Sequence, residues 1–283
     1  MPSRRGWIRW TVSAAAALAV AALAVFWFSY RPSGLLEVSV LDVGQGDAVL
    51  LETPHGHVIL IDGGPGDSVM RRLGEELPFW ERTIDLVVLT HPHEDHLAGL
   101  NDVIRRYRVG TVMTTGVETG NPSYRAFLDE AAARSVPLNI VDGPQELTLD
   151  GITVSVLYPR ASVRRLDNLN NGSIVIRTSY GDIDMLFTGD AETEVEEELL
   201  ADKAVIGTEI LKAGHHGSDT SSSEAFLAAL KPELALISCG TGNTYGHPSL
   251  RTLRRFDRLG IRYRRTDLEG TIHIKTDGRQ IFE

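Results

Sequence analysis

The chain has 283 residues and a formal net charge of −10 at pH 7, with 38 acidic and 28 basic side chains. All the acidic residues and 24 of the basic ones follow Arg31, so that part carries a net charge of −14. This balance argues against bulk attraction to nucleic acid or to anionic lipid. The single cysteine, Cys239, excludes a fold built on internal disulfides, and its position after an apolar run predicts a buried thiol.

The first predicted element is a membrane segment over residues 10–30, which are uncharged and apolar. About 20 such residues span a bilayer. Arginines precede the segment at positions 4, 5 and 9, so the positive-inside rule places the N-terminus in the cytoplasm and the remainder outside. We therefore expect residues 1–31 to form a cytoplasmic stub and a single-pass signal anchor in the cell membrane. A cleaved signal peptide is the alternative.

The remainder, residues 32–283, alternates short apolar runs with helical patterns and is predicted to form one domain. Strands are predicted at 35–42, 48–52, 58–61, 84–90, 111–114, 138–141, 145–149, 152–158, 173–179, 183–187, 208–212 and 233–238, and near 261, 272 and 281. Helices are predicted at 69–77, 97–107, 123–134, 192–200, 223–230 and 250–259. Mixed strands with helices after many of them predict two sheets packed face to face with helices outside.

A dense cluster of candidate metal ligands follows the predicted strand 84–90. The run His-Pro-His-Glu-Asp-His places His91, His93, Asp95 and His96 on a loop between a strand and a helix. Imidazole suits zinc and other first-row metals, and a carboxylate adds a hard oxygen ligand. His91 and His93 can bind one ion while Asp95 and His96 reach a second. A polar loop merely rich in histidine is the alternative, but so dense a cluster has little structural use.

Other predicted strands end in residues of the same kind. Asp62 is expected to accept a hydrogen bond from a liganding imidazole, although it could also cap a turn. Asp190 can bridge two cations and also cap the next helix. Of the pair His215 and His216, we expect His216 to bind metal and His215 to meet the substrate or leaving group. His247 is a candidate general acid or phosphate contact, with a structural role as the alternative.

Together these motifs resemble the metallo-β-lactamase superfamily: Asp62-Gly-Gly, His-x-His-x-Asp-His, Thr-Gly-Asp190 and a late histidine occur in that order. Four further motifs resemble the C-terminal hydrolase domain of ComEC-type competence proteins. They are Leu-Asp-Val-Gly-Gln-Gly-Asp-Ala at 41–48, Asn-x-x-Ser at 170–173, Leu-Lys-Ala-Gly-His-His-Gly-Ser at 211–218 and Tyr-Gly-His-Pro at 245–248. The resemblance runs from about residue 36 to 283.

The resemblance implies an α/β (α+β) fold, the αββα four-layer sandwich, with two divalent metal ions, zinc or manganese, and a hydrolytic reaction. The positions that match the family's metal ligands are His91, His93, Asp95, His96, Asp190 and His216. One departure concerns the region between His96 and His215, which contains no histidine, although many superfamily members have one there. The ComEC-like motif supplies Asn170 and Ser173 instead, so the first ion is expected to be short of one protein ligand.

These observations predict a membrane-anchored, extracytoplasmic, binuclear metal-dependent phosphodiesterase or nuclease related to DNA-uptake proteins. We expect Asp95, His215 and His247 to act in catalysis. Asn170, Ser173 and Lys212 are expected to contact the substrate. The alternatives are a hydrolase of another envelope substrate, such as a cell-wall phosphodiester or a lactone, and a non-catalytic accessory that binds DNA or a channel protein.

Two features bear on the partners. ComEC-type transporters carry many membrane helices whereas this chain is predicted to have one, so transport would require a separate membrane channel partner. Seven arginines lie between Arg251 and Arg265. They could grip the phosphates of DNA, or they could form a solvated face offset by acidic residues elsewhere.

Overall fold

The computed structural model of the protein describes residues 16–21, 33–202, 205 and 207–283. Residues 35–283 form one compact unit. The predicted membrane segment, residues 10–30, lies outside the described residues except for a short helical stretch at 16–21. Among the described residues, no helix combines the length and the apolar character needed to cross a bilayer. The division into an anchor and a domain at residue 32 therefore stays a prediction.

The secondary structure follows the predicted alternation closely. The strands are β1 (Leu36–Val40), β2 (Val49–Glu52), β3 (Val58–Ile61), β4 (Thr83–Val88), β5 (Arg108–Thr114), β6 (Leu138–Ile140), β7 (Gln145–Leu149), β8 (Ile152–Tyr158), β9 (Val175–Tyr180), β10 (Ile183–Phe187), β11 (Ile210–Lys212), β12 (Leu234–Ile237), β13 (Arg262–Arg265), β14 (Ile272–Thr276) and β15 (Ile281–Phe282). The helices are α1 (Ser68–Glu76), α2 (Glu94–Arg106), α3 (Pro122–Ala133), α4 (Thr193–Ala201), α5 (Glu224–Leu230), α6 (Leu250–Leu259) and α7 (Thr266–Glu269).

The strands form two mixed sheets. The first has the order β15-β14-β1-β2-β3-β4-β5-β6, and the second has the order β13-β12-β11-β10-β9-β8-β7. Strands β3 to β6 are parallel in the first sheet, and β10 to β13 are parallel in the second. The remaining neighbours pair antiparallel. Each sheet thus has a parallel half, and in both the parallel strands come from βα units.

Three apolar clusters define four layers. The first joins the inner faces of both sheets and includes Val38 of β1 and Met185 of β10. The second packs α1, α2 and α3 on the outer face of the first sheet. The third packs α4, α5 and α6 on the outer face of the second sheet, around Phe226. Each such buried side chain contributes about 1.5–3 kcal/mol relative to exposure. The predicted arrangement of two sheets with helices outside is confirmed.

One boundary differs from the prediction in a way that matters for the site. Helix α2 begins at Glu94, three residues earlier than the apolar periodicity indicates. Glu94 and Asp95 occupy its first turn, where carboxylates interact favourably with the positive end of the helix dipole. Half of the histidine-rich motif therefore belongs to a helix, which holds Asp95 and His96 at a fixed angle to the loop before them.

Glu52, at the end of β2, makes stability depend on pH. Burial, and then the nearby carboxylates of Glu37 and Glu76, raise its pKa from 4.5 to about 7. The folded state therefore favours the protonated form. The contribution of Glu52 to the free energy of unfolding is complete below pH 4.5 and is lost as the pH rises through 7. We expect Glu52→Gln, which cannot ionise, to raise the free energy of unfolding by about 1–3 kcal/mol at pH 8.5 and to change it little at pH 4.

Urea unfolding of the metal-free chain at the two pH values measures this difference. The control is Glu75→Gln, because Glu75 is an exposed carboxylate whose pKa is lowered, chiefly by a hydrogen bond from Arg72. That variant should gain no stability at pH 8.5. An equal gain for Glu52→Gln at both pH values would contradict the assignment.

Candidate metal centre

The candidate site lies where the parallel strands of both sheets end. Asp62 follows β3, and the histidine-rich motif follows β4. In the second sheet, Asp190 follows β10, and the pair His215 and His216 follows β11. The carboxyl ends of parallel strands lie at one edge of a sheet, where α/β proteins place their binding sites. Because the two sheets pack face to face, the two edges bring their polar residues together.

All six predicted metal ligands converge at this edge, around the carboxylate of Asp190. On one side, His91 Nε2 lies 3.0 Å from His93 Nδ1 and 3.8 Å from Asp190 Oδ2. On the other, His96 Nε2 lies 3.3 Å from Asp190 Oδ1. The last two ligands are His216 and Asp95. His216 Nε2 lies 3.3 Å from Asp95 Oδ2 and 3.6 Å from Asp190 Oδ2.

Hydrogen bonds behind two of the imidazoles determine which ring nitrogen faces the centre. His96 Nδ1 lies 2.8 Å from Asp62 Oδ2, as predicted for Asp62. His216 Nδ1 lies 3.1 Å from Asp47 Oδ1 and 3.1 Å from the carbonyl oxygen of Ser238. Since these oxygens accept, each Nδ1 keeps its proton, and Nε2 is the nitrogen left to bind a cation once its own proton is lost. This is the tautomer that a metal ligand requires.

Ser173 has a similar supporting role for His91. Its Oγ lies 3.3 Å from His91 Nδ1 and accepts a hydrogen bond of 3.1 Å from the backbone N–H of Asp190. The hydroxyl of Thr90 lies 3.1 Å from the same His91 Nδ1 and donates to Asp62. Ser173 is fully buried, so the structure places it behind the ligands and not at a surface that a substrate reaches.

The charge states of the histidines follow their surroundings. Burial, and then the neighbouring His96, lower the pKa of His91 well below its usual value, so His91 is neutral. For His216, burial lowers the pKa, but the carboxylates of Asp190 and Asp47 outweigh it and raise the pKa to about 10. The pKa of His96 is raised well above its usual value in the same way, by Asp190 and Asp62 against burial. A cation that bound here would replace protons on His96 and His216.

Unpartnered buried atoms show that the side chains fit a cation. In the part of the chain that the structure describes, His96 Nε2, His216 Nε2 and Asp190 Oδ1 are buried and have no hydrogen-bond partner. Asp47, His96, Asp190 and His216 each offer a ligand atom, and these atoms all lie within 4.8 Å of one another. Buried polar atoms are nearly always paired, so several unpaired ones close together indicate a site for a ligand. Nitrogen and carboxylate ligands suit zinc and manganese alike.

Asp47 is a residue of the site that was not predicted from the sequence. Its carboxylate also explains why the ammonium of Lys212 can be buried. The Lys212 ammonium lies 2.6 Å from Asp47 Oδ2 and donates to the carbonyl oxygen of Ala213. Lys212 is 1% exposed, which places it inside the protein and away from any substrate. Both oxygens of Asp47 are engaged, one by His216 and one by Lys212, so Asp47 supports a ligand and need not be one. A lone Asp after Gly-Gln-Gly carried no signal of this contact.

The backbone is strained at three residues of the site. Asp62, His215 and His216 have φ values of 60°, 49° and 54°, in the left-handed region that non-glycine residues rarely adopt. Such strain persists only where the surrounding structure enforces it, and it collects at functional sites. Close packing contributes, because a Cβ on Gly99 of α2 would overlap the carbonyl oxygen of Gly63. The loop after β3 can therefore press against the helix that carries His96.

A cavity of about 330 Å³ opens onto the centre. It is lined by Gln45, His93, Glu94, Asp95, Asn170, Asp190, His215, His216, Tyr245 and His247. The three predicted catalytic residues, Asp95, His215 and His247, thus reach the open side together with Asn170. His215 is held by Glu192 and Thr220, whose oxygens lie 3.4 Å and 3.2 Å from its Nδ1.

The arginine-rich stretch between Arg251 and Arg265 is mostly neutralised within the fold. Five of its seven arginines pair with carboxylates, and Arg255 donates to backbone carbonyls. The carboxylate partners are Asp219, Glu224, Glu283, Glu269 and Asp267. Of the two interpretations offered for this stretch, the structure favours an internally compensated face over a track for phosphates.

Comparison with known proteins agrees with this geometry. Residues 41–241 match the family model described as the metallo-beta-lactamase superfamily. The chain is 31% identical over 260 residues to ComE operon protein 3 of Bacillus subtilis, covering 86% of this chain and 33% of that protein. It is 34% identical over 252 residues to competence protein ComA of Neisseria gonorrhoeae, covering 87% and 34%. The chain thus spans about a third of the length of these relatives.

Among solved structures, CmlA, a diiron β-hydroxylase from Streptomyces venezuelae, aligns with a TM-score of 0.58 and 16% identity. The alignment covers 85% of this chain and 54% of that one. At this level of identity, the match shows a shared fold alone.

The contact between Asp47 and His216 predicts an effect on metal binding. We expect Asp47→Asn to weaken the binding of a divalent cation by about 10–100-fold, because the carboxylate that orients the imidazole and raises its basicity is lost. Isothermal titration of the metal-free chain with Mn²⁺ and Zn²⁺ measures this. Asp150→Asn is a matched control, since it removes the carboxylate that contacts His57 at 2.6 Å on distant turns. Equal losses in the two variants would refute the role of Asp47.

The buried pair of Lys212 and Asp47 predicts an effect on stability. We expect Lys212→Met to lower the free energy of unfolding by about 3–5 kcal/mol, because a buried carboxylate loses its counter-ion. Lys275→Met is the matched control: Lys275 contacts Glu37 at 2.8 Å but is 46% exposed, and its loss should cost about 1 kcal/mol or less. Urea unfolding of the three proteins compares the two costs, and a loss at Lys212 as small as that at Lys275 would count against the buried pair.

Proposed function

Because this chain belongs to the metallo-β-lactamase superfamily, as its motifs predicted, we propose that it is a metal-dependent hydrolase that cleaves phosphodiester bonds in DNA. The observation that carries the proposal is the convergence of buried, unpartnered ligand atoms from His96, His216 and Asp190 at a solvent-open cavity. His91 and His93 extend the ligand set on the other side of Asp190. Two groups of ligands around one carboxylate suit two ions.

The relatives supply the biological context of the proposal. ComE operon protein 3 and competence protein ComA are similar to this chain over most of its length, and competence is the uptake of DNA by a cell. We therefore place this hydrolase in DNA uptake, anchored in the cell membrane by residues 10–30, with the hydrolase domain outside the cytoplasm. We propose a membrane channel as its partner in that process.

The chemistry divides between the ions and the side chains. When bound, divalent ions supply a hydroxide nucleophile near neutral pH and offset the charge that develops on the attacked group. Asp95 lies at the cavity and keeps its charge, since contacts with His216 and His96 outweigh burial and lower its pKa to about 2. Its charged oxygens can therefore accept a hydrogen bond from the attacking group and orient it.

Two histidines on the open side can serve the leaving group. His215 is oriented by Glu192 and Thr220 through its Nδ1, which leaves Nε2 directed towards Asp190 at 3.7 Å. Next to it, His247 is held by Asn243, whose amide contacts both the backbone N–H and the carbonyl oxygen of His247. Burial lowers the pKa of His247, so its ring is neutral at pH 7. We assign His215 to protonation of the leaving oxygen and His247 to a hydrogen bond with the substrate.

A second candidate is a smaller envelope substrate, such as a cell-wall phosphodiester or a lactone. The internally paired arginines and the net charge of −14 after Arg31 favour it, because a long DNA duplex would find little positive surface. A non-catalytic accessory is the weaker alternative, since the convergence of ligand atoms at an open cavity would then have no use.

The test uses the full chain, stripped of metal and reloaded with Mn²⁺ or Zn²⁺. Single-stranded DNA, double-stranded DNA and bis-p-nitrophenyl phosphate are the substrates. We expect metal-dependent cleavage of DNA. In Asp190→Ala the cleavage rate should fall by more than about 100-fold, because losing a group that only supports a ligand typically costs about 10–100-fold. Asp182→Ala, an exposed Asp in the preceding turn of the same hairpin, is the matched control and should stay active.

The outcomes separate the candidates. Cleavage of the small diester with both DNAs intact would replace the nuclease by an envelope phosphodiesterase. Turnover of none of the three substrates by the fully metal-loaded chain would overturn a phosphodiester as the substrate.

A further inference from the structure

The side-chain oxygen of Asn170 has no partner that the substrate contact predicted for this residue would supply. Asn170 lies in a 3₁₀ turn, Asn170–Gly172, and its Nδ2 donates to Glu192 Oε1 at 3.1 Å. A carboxylate only accepts hydrogen bonds, so this contact identifies which end of the amide is nitrogen. The oxygen, Oδ1, is then the opposite end. Within the described residues it is buried and has no hydrogen-bond partner.

The position of Asn170 links it to the first group of ligands. Asn170 lines the same cavity as His93 and Asp190. Three residues further along the turn, Ser173 contacts His91 Nδ1 and accepts from the backbone N–H of Asp190. The turn also closes on itself, because the Ser173 N–H donates to the carbonyl oxygen of Asn170 at 3.0 Å. One short segment thus contacts His91 and places an amide in the cavity that His93 also lines.

The chemistry of this oxygen decides between the available partners. An amide oxygen is an acceptor, and a phosphodiester anion offers only acceptors at neutral pH, so the two cannot form a hydrogen bond. The donor of the amide is already engaged by Glu192. The expected contact between Asn170 and a phosphate substrate is therefore disfavoured, whereas a cation would satisfy the oxygen directly.

We propose that Asn170 Oδ1 is a ligand of the divalent cation held by His91 and His93. That ion would then have two imidazole nitrogens, a carboxylate oxygen of Asp190 and an amide oxygen. The second ion would have Asp95, His96, His216 and Asp190. Because amide oxygen is a hard ligand, its presence shifts the first site towards manganese relative to a site completed by imidazole. The proposal rests on the metal centre proposed above, and not on the identity of the substrate.

The experiment measures metal binding to the full chain by isothermal titration with Mn²⁺ and by metal analysis after dialysis. We expect Asn170→Ala to weaken one of two Mn²⁺ equivalents by at least about 10-fold while the other is retained. Asn170→His should restore the lost equivalent and change the preference from Mn²⁺ towards Zn²⁺, because imidazole replaces a hard oxygen ligand. Circular dichroism establishes that each variant is folded.

Asn168→Ala is the matched control. Asn168 Nδ2 donates to the other oxygen of Glu192 at 2.8 Å, and its Oδ1 accepts from the Asn170 N–H, but it is exposed and does not line the cavity. This variant should bind both equivalents like the parent chain. Equal losses in Asn168→Ala and Asn170→Ala would overturn the proposal, since the hydrogen bonds to Glu192 would then be the cause. Unchanged Mn²⁺ binding in Asn170→Ala would also overturn it.

Hydrolysis is measured separately on the same proteins. Binding of two Mn²⁺ equivalents, one of which depends on Asn170, without cleavage of any phosphodiester would leave this ligand assignment standing and reject the proposed reaction. Cleavage by the parent chain together with unaltered metal binding in Asn170→Ala would do the reverse.

Discussion

The carboxylate of Asp190 is the group on which the whole site depends. Four histidine Nε2 atoms lie between 3.3 and 3.8 Å from its oxygens, those of His91, His96, His215 and His216. Nitrogen lone pairs and carboxylate oxygens do not attract one another unless something positive lies between them. In the metal-free protein, protons on His96 and His216 satisfy this condition, as the raised pKa values of both indicate. Divalent ions would satisfy it better, with more charge and with ligand geometry already in place.

A second constraint keeps this concentration of charge in place. Asp47, Asp62 and Asp190 are buried carboxylates, and their neighbours include the buried ammonium of Lys212. Asp47 and Asp62 each bond the Nδ1 of an imidazole and so turn its Nε2 towards the centre. The cost of burying these charges is offset only while every partner stays in position. The left-handed backbone at Asp62, His215 and His216 belongs to the same arrangement, because strained residues persist where packing enforces them.

The two-sheet architecture explains why such a site forms where it does. Each sheet contributes the ends of its parallel strands, β3 and β4 on one side and β10 and β11 on the other. The apolar cluster between the sheets fixes the distance between these edges. The cavity therefore lies between the two sheets, at the edge where these strands end. The groups that face solvent, such as His215 and Asn170, are in turn held by Glu192.

Sequence periodicity was sufficient to predict nearly every strand and helix, and the histidine-rich motif was sufficient to predict four of the candidate ligands. Both depend on residues that are close together in the chain: alternation along a strand, the period of a helix, and four candidate ligands within one run of six residues. Roles that depend on contacts between residues far apart in the chain were harder to predict from the sequence. Lys212 and Ser173 were expected to meet the substrate, yet both are buried behind the ligands. The partner of Lys212 is Asp47, 165 residues away in the chain.

The sequence by itself therefore determined the class of fold and the family, and it predicted candidate metal ligands. Only the tertiary structure decided which of them face the centre, which support from behind, and which charges cancel. The arginines between Arg251 and Arg265 illustrate the difference: in the sequence they form a basic run, and in the fold most have acidic partners from other elements. Burial and pairing are properties of three-dimensional neighbourhoods, because the strength of a charge depends on what surrounds it and not on its place in the chain.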